Sequence, residues 1–436
     1  MPVKYISSKT SPLYKSSTDG SREMVLIFGD EVETSGSPVN SRVQAEFRGR
    51  KGFISENHLG NKPALEIYFI DVGQGDSTFI VTPNRKKILI DGGINKRAFG
   101  FLAWKYRFDK DGSPIDIDLL VLSHADGDHI DGLTPIIHHP RVNVRKIIHN
   151  GIATFKGGTF DTTLGNLDTS KKYLLTRHDS LDDLNGLSLS DSFDKWRQAV
   201  ANERTPYNAI DSTMGLIDIG DPDITIEVLG PRLVVYQGKP VYRWFNGEGP
   251  TINGHSVVLR LNYGDVSVLF SGDLNSDGAK NLLEDPTLSH KLDAHVFKAP
   301  HHGSHDFHWP FLEAIGPQIS VISSGDEPDH GHPRAVFIGA IGQVSRSTTP
   351  LVFSTEIAAT FVEAGVKEER ETDTDLKDLN LQTDANSLAR NLFKRRLHGM
   401  INVRTDGKDL YAARRVAAGY WWESYGPLPA TKKPEP

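Results

Sequence analysis

The chain opens with short apolar–polar runs broken by turns. Glu23-Met24-Val25-Leu26-Ile27 and Val43-Gln44-Ala45-Glu46-Phe47 read as strands. Thr18-Asp19-Gly20, Gly29-Asp30 and the stretch from Thr34 to Pro38 punctuate them, and Arg48-Gly49-Arg50-Lys51-Gly52-Phe53-Ile54 reads as a hairpin returning to a last short strand. Many short strands between turn signals predict a small all-β barrel over residues 1–62. A different rhythm starts near Ala64. Leu65–Ile70, Thr78–Val81, Lys87–Ile90 and Ile117–Leu122 are mostly apolar, as strands covered on both faces are. Ile224–Leu229, Ser256–Leu261, Val266–Phe270, Ala294–Lys298 and Ile319–Ser323 repeat the pattern. Between the two groups, residues 155–215 are polar and poor in strand signal, with one helix predicted over Ser190–Asn202 and Ser190 or Asp191 as its cap. This stretch reads as an insertion in a unit spanning 63–365, a mixed α/β sandwich. Residues 366–436 form a C-terminal extension: a charged run, a strand-like Met400–Arg404, and a tail from Pro427 with the composition of a disordered segment.

Composition narrows the chemistry. The 436 residues contain no cysteine, so disulfides, thiolate ligands and a cysteine nucleophile are excluded. Any transition-metal site must use histidines, of which there are 17, and carboxylates. The formal net charge of −7 provides no global field for nucleic acid or anionic membrane, although a local basic groove is compatible with it. The N-terminus lacks the apolar stretch of a secretory signal and the longest apolar runs are too short to span a bilayer, so a cytoplasmic location with no membrane partner is expected.

The candidate chemistry sits at strand ends. His124, Asp126, Asp128 and His129 follow Leu119–Leu122, Asp273 follows Val266–Phe270, and His301 and His302 follow the run ending at Lys298. A sheet fixes the backbone there while the side chains face an open edge, where imidazole and carboxylate donors can converge on a divalent ion.

These residues resemble the metallo-β-lactamase superfamily, and within it the ComEC-like branch. DVGQGDS, ILIDGG, LSHADGDHIDGL, NGHSVV at 253–258, LFSGD, KAPHHGS and a later His-Pro occur in the order of that branch over about residues 65–340. The first segment, with its LYKSS, VLIFGDEV and VQAEFRGRKGFI stretches, resembles a bacterial SH3-like domain. The resemblance implies a metallo-β-lactamase αββα sandwich behind an SH3-like barrel. It implies two divalent metal ions, zinc or manganese, with His124, Asp126 and His255 on the first, Asp128, His129 and one of His301 and His302 on the second, and Asp273 bridging. His301 is the favoured member of that pair, with His302 close behind. Between the ions a water would become a nucleophile near neutral pH. Asp91 would be the outer carboxylate that orients a ligand imidazole.

Asp126 stands where the wider superfamily has a histidine, which makes the site harder and more anionic and brings manganese into play. His255 stands where the branch often has asparagine, which favours a complete first site; the alternative is a packed histidine. Asp128 and His332 are the candidates for direct catalysis. His332 would bind a substrate phosphate or protonate a leaving group, or else it fixes the turn before Pro333. Asp71, Gln74 and Asp76 share a tight turn, and for them architectural and outer-layer duties are expected. His149 is placed in the core or on the rim. His305 and His308 are placed on the rim, and His138 and His139 in a surface turn. Arg414, Arg415, Trp421 and Trp422 either stack on nucleic acid or close the domain.

The superfamily hydrolyses several bond types, so fold does not fix the reaction. The branch leans toward phosphodiesters, DNA or a nucleotide. Carbon esters, thioesters or lactams are the alternative, and a non-catalytic binding or defence-associated module is the third. The SH3-like segment would recruit a protein or peptide.

Overall fold

The computed structural model of the chain describes residues 2–108, 112–325, 331–356, 399–415 and 422–433. Strands between Val3 and Gly60 form a separate all-β unit, a seven-stranded sheet folded around Ile6, Leu13, Leu26, Val32, Ala45 and Ile54. The hairpin Arg42–Phe47/Arg50–Ser55 turns at Arg48-Gly49, both with positive φ, as the twist of a two-residue connection demands.

Two further sheets pack face to face. The first runs Tyr207–Ala209, Ile147–His149, Leu119–Leu122, Lys87–Ile90, Thr78–Val81, Leu65–Phe69, Ile401–Thr405, Asp409–Arg415, Trp422–Pro429. The second runs Leu216–Ile217, Ile224–Gly230, Val258–Tyr263, Val266–Phe270, Val296–Lys298, Ile319–Ile322, Leu351–Ser354. The two-residue side-chain period explains the layers. In Leu119–Leu122, Leu119 and Val121 join the core between the sheets, while Leu120 and Leu122 join the core under the helices. In the second sheet Val268 and Phe270 face inward and Leu269 faces helices on the other side. The helices Arg97–Tyr106 and Asp191–Glu203 contribute to one outer core, and Ser276–Leu283, Trp309–Ile315 and Ala335–Gln343 to the other. The result is the helix–sheet–sheet–helix sandwich expected from sequence. Among the described residues no helix is long and apolar enough to cross a membrane.

The helix in the insertion spans Asp191–Glu203 with Ser190 at its N-cap and buries Phe193, Trp196, Ala199 and Val200 on one face. The C-terminal segment differs from expectation. Ile401–Thr405 pairs antiparallel with Leu65–Phe69, so this part of the extension is inside the first sheet, not appended to it. Nor is the tail from Pro427 to Lys433 loose. Leu428 pairs with Leu410, Pro429 O accepts from Gln318 at 3.1 Å and Thr431 O from Arg346 at 3.0 Å. Short apolar runs carry little signal when long-range pairing stabilises them. The charged run 367–378 and Trp421 lie outside the described residues. Arg414 pairs with Glu423 at 2.6 Å and Trp422 packs on the core.

A buried charge network fastens the all-β unit to the sandwich. Arg404 reaches Asp30 at 2.8 Å and Glu66 at 3.6 Å, and Lys105 reaches Glu66 at 3.0 Å. Phe28 stacks on Tyr411 with centroids 3.8 Å apart.

Candidate metal centre

The cluster assembles at the ends of three strands, and glycines let them approach. Gly272, at φ +49°, stands just before Asp273; a Cβ there would lie 2.9 Å from Ser256 Cβ and 3.0 Å from Ser123 Cβ. Gly75, at φ +99°, brings the Asp71–Ser77 turn so close that a Cβ would lie 1.8 Å from the Asp128 carbonyl. After Leu122 the chain runs extended to Asp126 and turns into a one-turn helix, Gly127–Ile130, which carries Asp128 and His129. His301 and His302 both take left-handed backbone, φ +48° and +52°.

Two sets of donors share members. His124, His129 and Asp273 form one, and Asp128, His129 and His302 the other, with donor atoms within 4.8 Å of one another in each. Asp273 faces both ways: Oδ1 is 3.4 Å from His129 Nε2 and Oδ2 is 3.1 Å from His302 Nε2. Asp128 Oδ2 is 3.3 Å from His302 Nε2, and Asp126 Oδ2 is 3.5 Å from His124 Nε2. The residues fit a metal by a direct criterion. His124 Nε2, His129 Nε2, His302 Nε2 and Asp273 Oδ1 are buried and lack a hydrogen-bond partner, an arrangement that disfavours folding unless a ligand satisfies them. An all-nitrogen-and-oxygen donor set suits divalent zinc or manganese.

Proton accounting fixes which ring nitrogens are available. Asp91 accepts from Ser123 N at 2.8 Å and from Ser123 Oγ at 2.7 Å, and His129 Nδ1 donates to it at 2.9 Å. Ser123 has one hydroxyl hydrogen, already given to Asp91. At 3.0 Å from His124 Nδ1 it must therefore accept, so His124 carries its proton on Nδ1. Asp91 thus leaves both Nε2 lone pairs facing the cluster, directly for His129 and through Ser123 for His124. Charge reinforces the arrangement. Burial disfavours charged imidazoles here, but the Asp273 carboxylate, with Asp128 and Asp76, overrides it and lifts His302 to about 10. Burial is likewise overridden at His129, which Asp273, Asp91 and Asp128 raise well above the ordinary histidine value. Burial opposes ionisation of Asp273 too, yet His302 and His129 hold it far below the usual carboxylate range. A cage that draws extra protons onto its imidazoles is a cage that attracts cations.

Several candidates fall elsewhere. His255 does not join either set: its Nε2 donates to the Arg243 carbonyl at 2.8 Å and its ring stacks on Phe245 at 4.9 Å, while its buried Nδ1 has no hydrogen-bond partner. Its burial, which outweighs that carbonyl bond, lowers it to about 4 and keeps the ring neutral. Of the histidine pair, the structure puts His302 rather than His301 among the donors. His301 Nε2 lies 3.5 Å from Asn253 Nδ2, and its ring is 5.7 Å from that of His332, on the cleft side. Asp71 does not reach the cluster; it accepts from Gly73 N at 3.3 Å and pairs with Arg97 at 3.3 Å. His149 is fully buried beside Phe193 and Trp196. Lys298 and Ser123 had no role assigned from sequence. The signal for Lys298 was a charged residue closing the apolar strand Val296–Lys298, and for Ser123 a hydroxyl preceding the first histidine.

The family model described as "Metallo-beta-lactamase superfamily" matches residues 70–325. ComE operon protein 3 of Bacillus subtilis (strain 168) is 23% identical over 283 residues, covering 62% of this chain and 29% of its own length. The chain thus spans less than a third of that relative. Among solved structures, a HARLDQ-motif mutant of a metallo-β-lactamase from Cronobacter sakazakii is similar with 16% identity and a TM-score of 0.29, over 58% of this chain and 75% of that one. Metallo-β-lactamase SMB-1 bound to 2-mercaptoethanesulfonate is similar with 12% identity and a TM-score of 0.26, over 54% and 76% respectively.

Proposed function

Because the chain belongs to the metallo-β-lactamase superfamily, whose membership together with the donor cluster supports a metallohydrolase, we propose that it is a binuclear phosphodiesterase acting on DNA or a nucleotide in the cytoplasm. The observation that carries the proposal is the pair of donor sets that share His129, with Asp273 of the first reaching His302 of the second, and with their buried lone pairs unpartnered. The phosphodiester rests on the order of the ComEC-like motifs, and the likeness to ComE operon protein 3 supports that branch. On this reading His124, Asp126 and Asp273 hold one zinc or manganese ion, and Asp128, His129, His302 and Asp273 hold the other. Two such ions, when bound, supply a hydroxide near neutral pH and clamp the oxygens of an in-line displacement.

The protein's own groups do the rest. Asp91 and Ser123 keep the two ligand rings in the tautomer that presents Nε2. Gln74 Nε2 donates to Asp128 Oδ2 at 3.2 Å and holds that carboxylate toward the cluster. His332, buried with its ring 6.3 Å from that of His302, would on this reading hold a phosphate oxygen or return a proton to the leaving oxygen. The all-β unit, SH3-like in its motifs, would recruit a protein or peptide.

The test uses the full chain stripped of metal and reloaded with zinc or manganese. Single-stranded DNA, duplex DNA and cyclic dinucleotides are assayed beside a chromogenic ester and a cephalosporin. Metal-dependent phosphodiester cleavage that disappears in Asp273→Ala is expected. Cleavage of the ester or lactam alone would transfer the protein to the carbon-centred hydrolases, and no metal-dependent hydrolysis at all would leave a binding module.

A further inference from the structure

The Asp71–Ser77 turn lies behind the donor cluster, and one of its carboxylates is unusually placed. Asp76 is 3% exposed, and its Oδ1 stands 3.6 Å from His302 Nδ1 without a hydrogen-bond partner. Its Oδ2 contacts the ammonium of Lys298, itself 3% exposed. Lys298 also donates to the Gly272 carbonyl at 3.3 Å, immediately before Asp273. One ammonium therefore ties together the turn, the strand end that carries Asp273, and the strand that leads to His302. A buried ion pair is weak evidence for stability, because desolvation offsets its attraction. Its placement calls for another reason.

His302 needs holding. Its backbone is left-handed, a conformation that is unfavourable for a non-glycine residue. Its Nδ1 donates to the Ser323 carbonyl at 3.0 Å, which leaves Nε2 facing Asp128 and Asp273. The Asp76 carboxylate lies on the side of that N–H, where its charge favours this tautomer and strengthens Nε2 as a donor. Asp76 also lies within 4.8 Å of Asp273 and His302, close enough to become a ligand itself.

We propose that Asp76 and Lys298 are a positioning pair for the metal centre: Asp76 orients and polarises His302, and Lys298 holds Asp76 behind the imidazole and out of the ligand set. The proposal rests on the reading that the cluster holds metal. It does not depend on which bond is hydrolysed.

The experiment is a cobalt(II) titration, followed by visible absorption and by competition with a chelator, of the full wild-type chain and of Asp76→Asn, Lys298→Met and the double variant. Thermal unfolding is recorded beside it. Asp76→Asn keeps the shape and can still accept from Lys298. It should weaken one cobalt equivalent by about tenfold or more and alter its absorption band. Lys298→Met, by freeing Asp76, should also change the band. The double variant removes both buried charges. It should recover the unfolding temperature but not the cobalt affinity. Wild-type affinity and spectrum in the double variant would overturn the proposal and reduce the pair to a structural bridge. If the double variant does not fold, a wild-type spectrum in Asp76→Asn decides the same way. If the wild-type chain itself takes up no cobalt, the metallohydrolase reading fails instead.

Discussion

Replacing Asp91 by asparagine is the sharpest probe of how the site is built. The carboxylate is 1% exposed and accepts three hydrogen bonds, from Ser123 N, Ser123 Oγ and His129 Nδ1. Asp91→Ala would leave three buried donors unmet, at about 1–3 kcal/mol each. That sum rivals the stability of a typical domain, so alanine tests folding rather than tautomers. Asparagine keeps the shape and one accepting oxygen. Either orientation of its amide sets a donor against a donor. With the oxygen on Ser123 N, the NH2 faces Ser123 Oγ and His129 Nδ1. His129 Nδ1 must then accept, which moves its proton to Nε2, the atom that faces the cluster. Ser123 Oγ can now donate to His124 Nδ1, which moves that ring's proton to Nε2 as well. Loss of an outer partner typically weakens metal binding 10–100-fold, or about 1.4–2.7 kcal/mol. Here one substitution disturbs two ligands, so the upper end is expected. Zinc affinity would be measured by competition with a chromophoric chelator, with unfolding in excess chelator as the control for folding. A folded Asp91→Asn chain that binds zinc as tightly as wild type would refute the tautomer argument.

Other consequences can be checked in parallel. His302→Ala should lose at least one metal equivalent by elemental analysis after dialysis, while His301→Ala should keep both; the opposite pattern would reverse the assignment of the pair. Removing metal with a chelator should lower the unfolding temperature by several degrees, since a ligand at a hundred times its Kd contributes about 2.7 kcal/mol per site; an unchanged transition would mean that the cluster is not loaded. Burial pushes Glu66 up, but Lys105, Arg404 and Tyr68 override it and hold its carboxyl below the ordinary range. A group depressed in this way contributes stability above its unfolded pKa and loses it as pH falls through the folded value. Denaturant midpoints should therefore drop as pH falls below the ordinary glutamate range, and Glu66→Gln should flatten that drop at a loss of about 3–5 kcal/mol. A chain ended before residue 399 should aggregate, because removing Ile401–Thr405 exposes the edge of Leu65–Phe69 in mid-sheet; a soluble, monomeric truncation on a sizing column would contradict that.

How much of this was legible depended on the range of the interactions. The sandwich strands were readable because burial on both faces writes continuous apolar runs such as Leu119–Leu122 and Val266–Phe270. The clustered donor residues were readable as candidates because each follows such a run. The choice between His301 and His302 was not, since it depends on two successive left-handed residues that swing neighbouring rings to different sides. Nor was the position of His255, which the carbonyl of Arg243, at the end of the strand Lys239–Arg243, and the Phe245 ring decide through tertiary contacts. The strand Ile401–Thr405 was visible as a strand, but its partner, more than 300 residues away, was not. Local pattern identifies elements; register across such distances is set by the assembled core.

Asp126 shows what geometry adds to a motif. In sequence it is a carboxylate where the wider superfamily has an imidazole. In space it stands at the open edge of the cluster, outside both donor sets and 3.5 Å from His124: its side chain is 40% exposed, whereas those of His124, His129, His302 and Asp273 are at most 5% exposed. The two donor sets are therefore unequal. On the proposed assignment one metal has Asp128, His129, His302 and Asp273 around it. The other has His124 and Asp273 behind it and Asp126 at the mouth, beside a groove lined by Thr154, Lys156, Ser190 and Asp191. A carboxylate at a wet position gives up little hydration on folding, so the substitution is tolerable there in a way it would not be at His129. On the proposed assignment it would also give the more accessible metal position a harder, more anionic donor. Lys156 and Asp191 come from the insertion, so the groove beside that metal is shaped by the segment least constrained by the sandwich. On the proposed assignment the buried set would fix the chemistry that the fold can perform, and the Asp126 side, with the insertion against it, would be where metal and substrate are chosen.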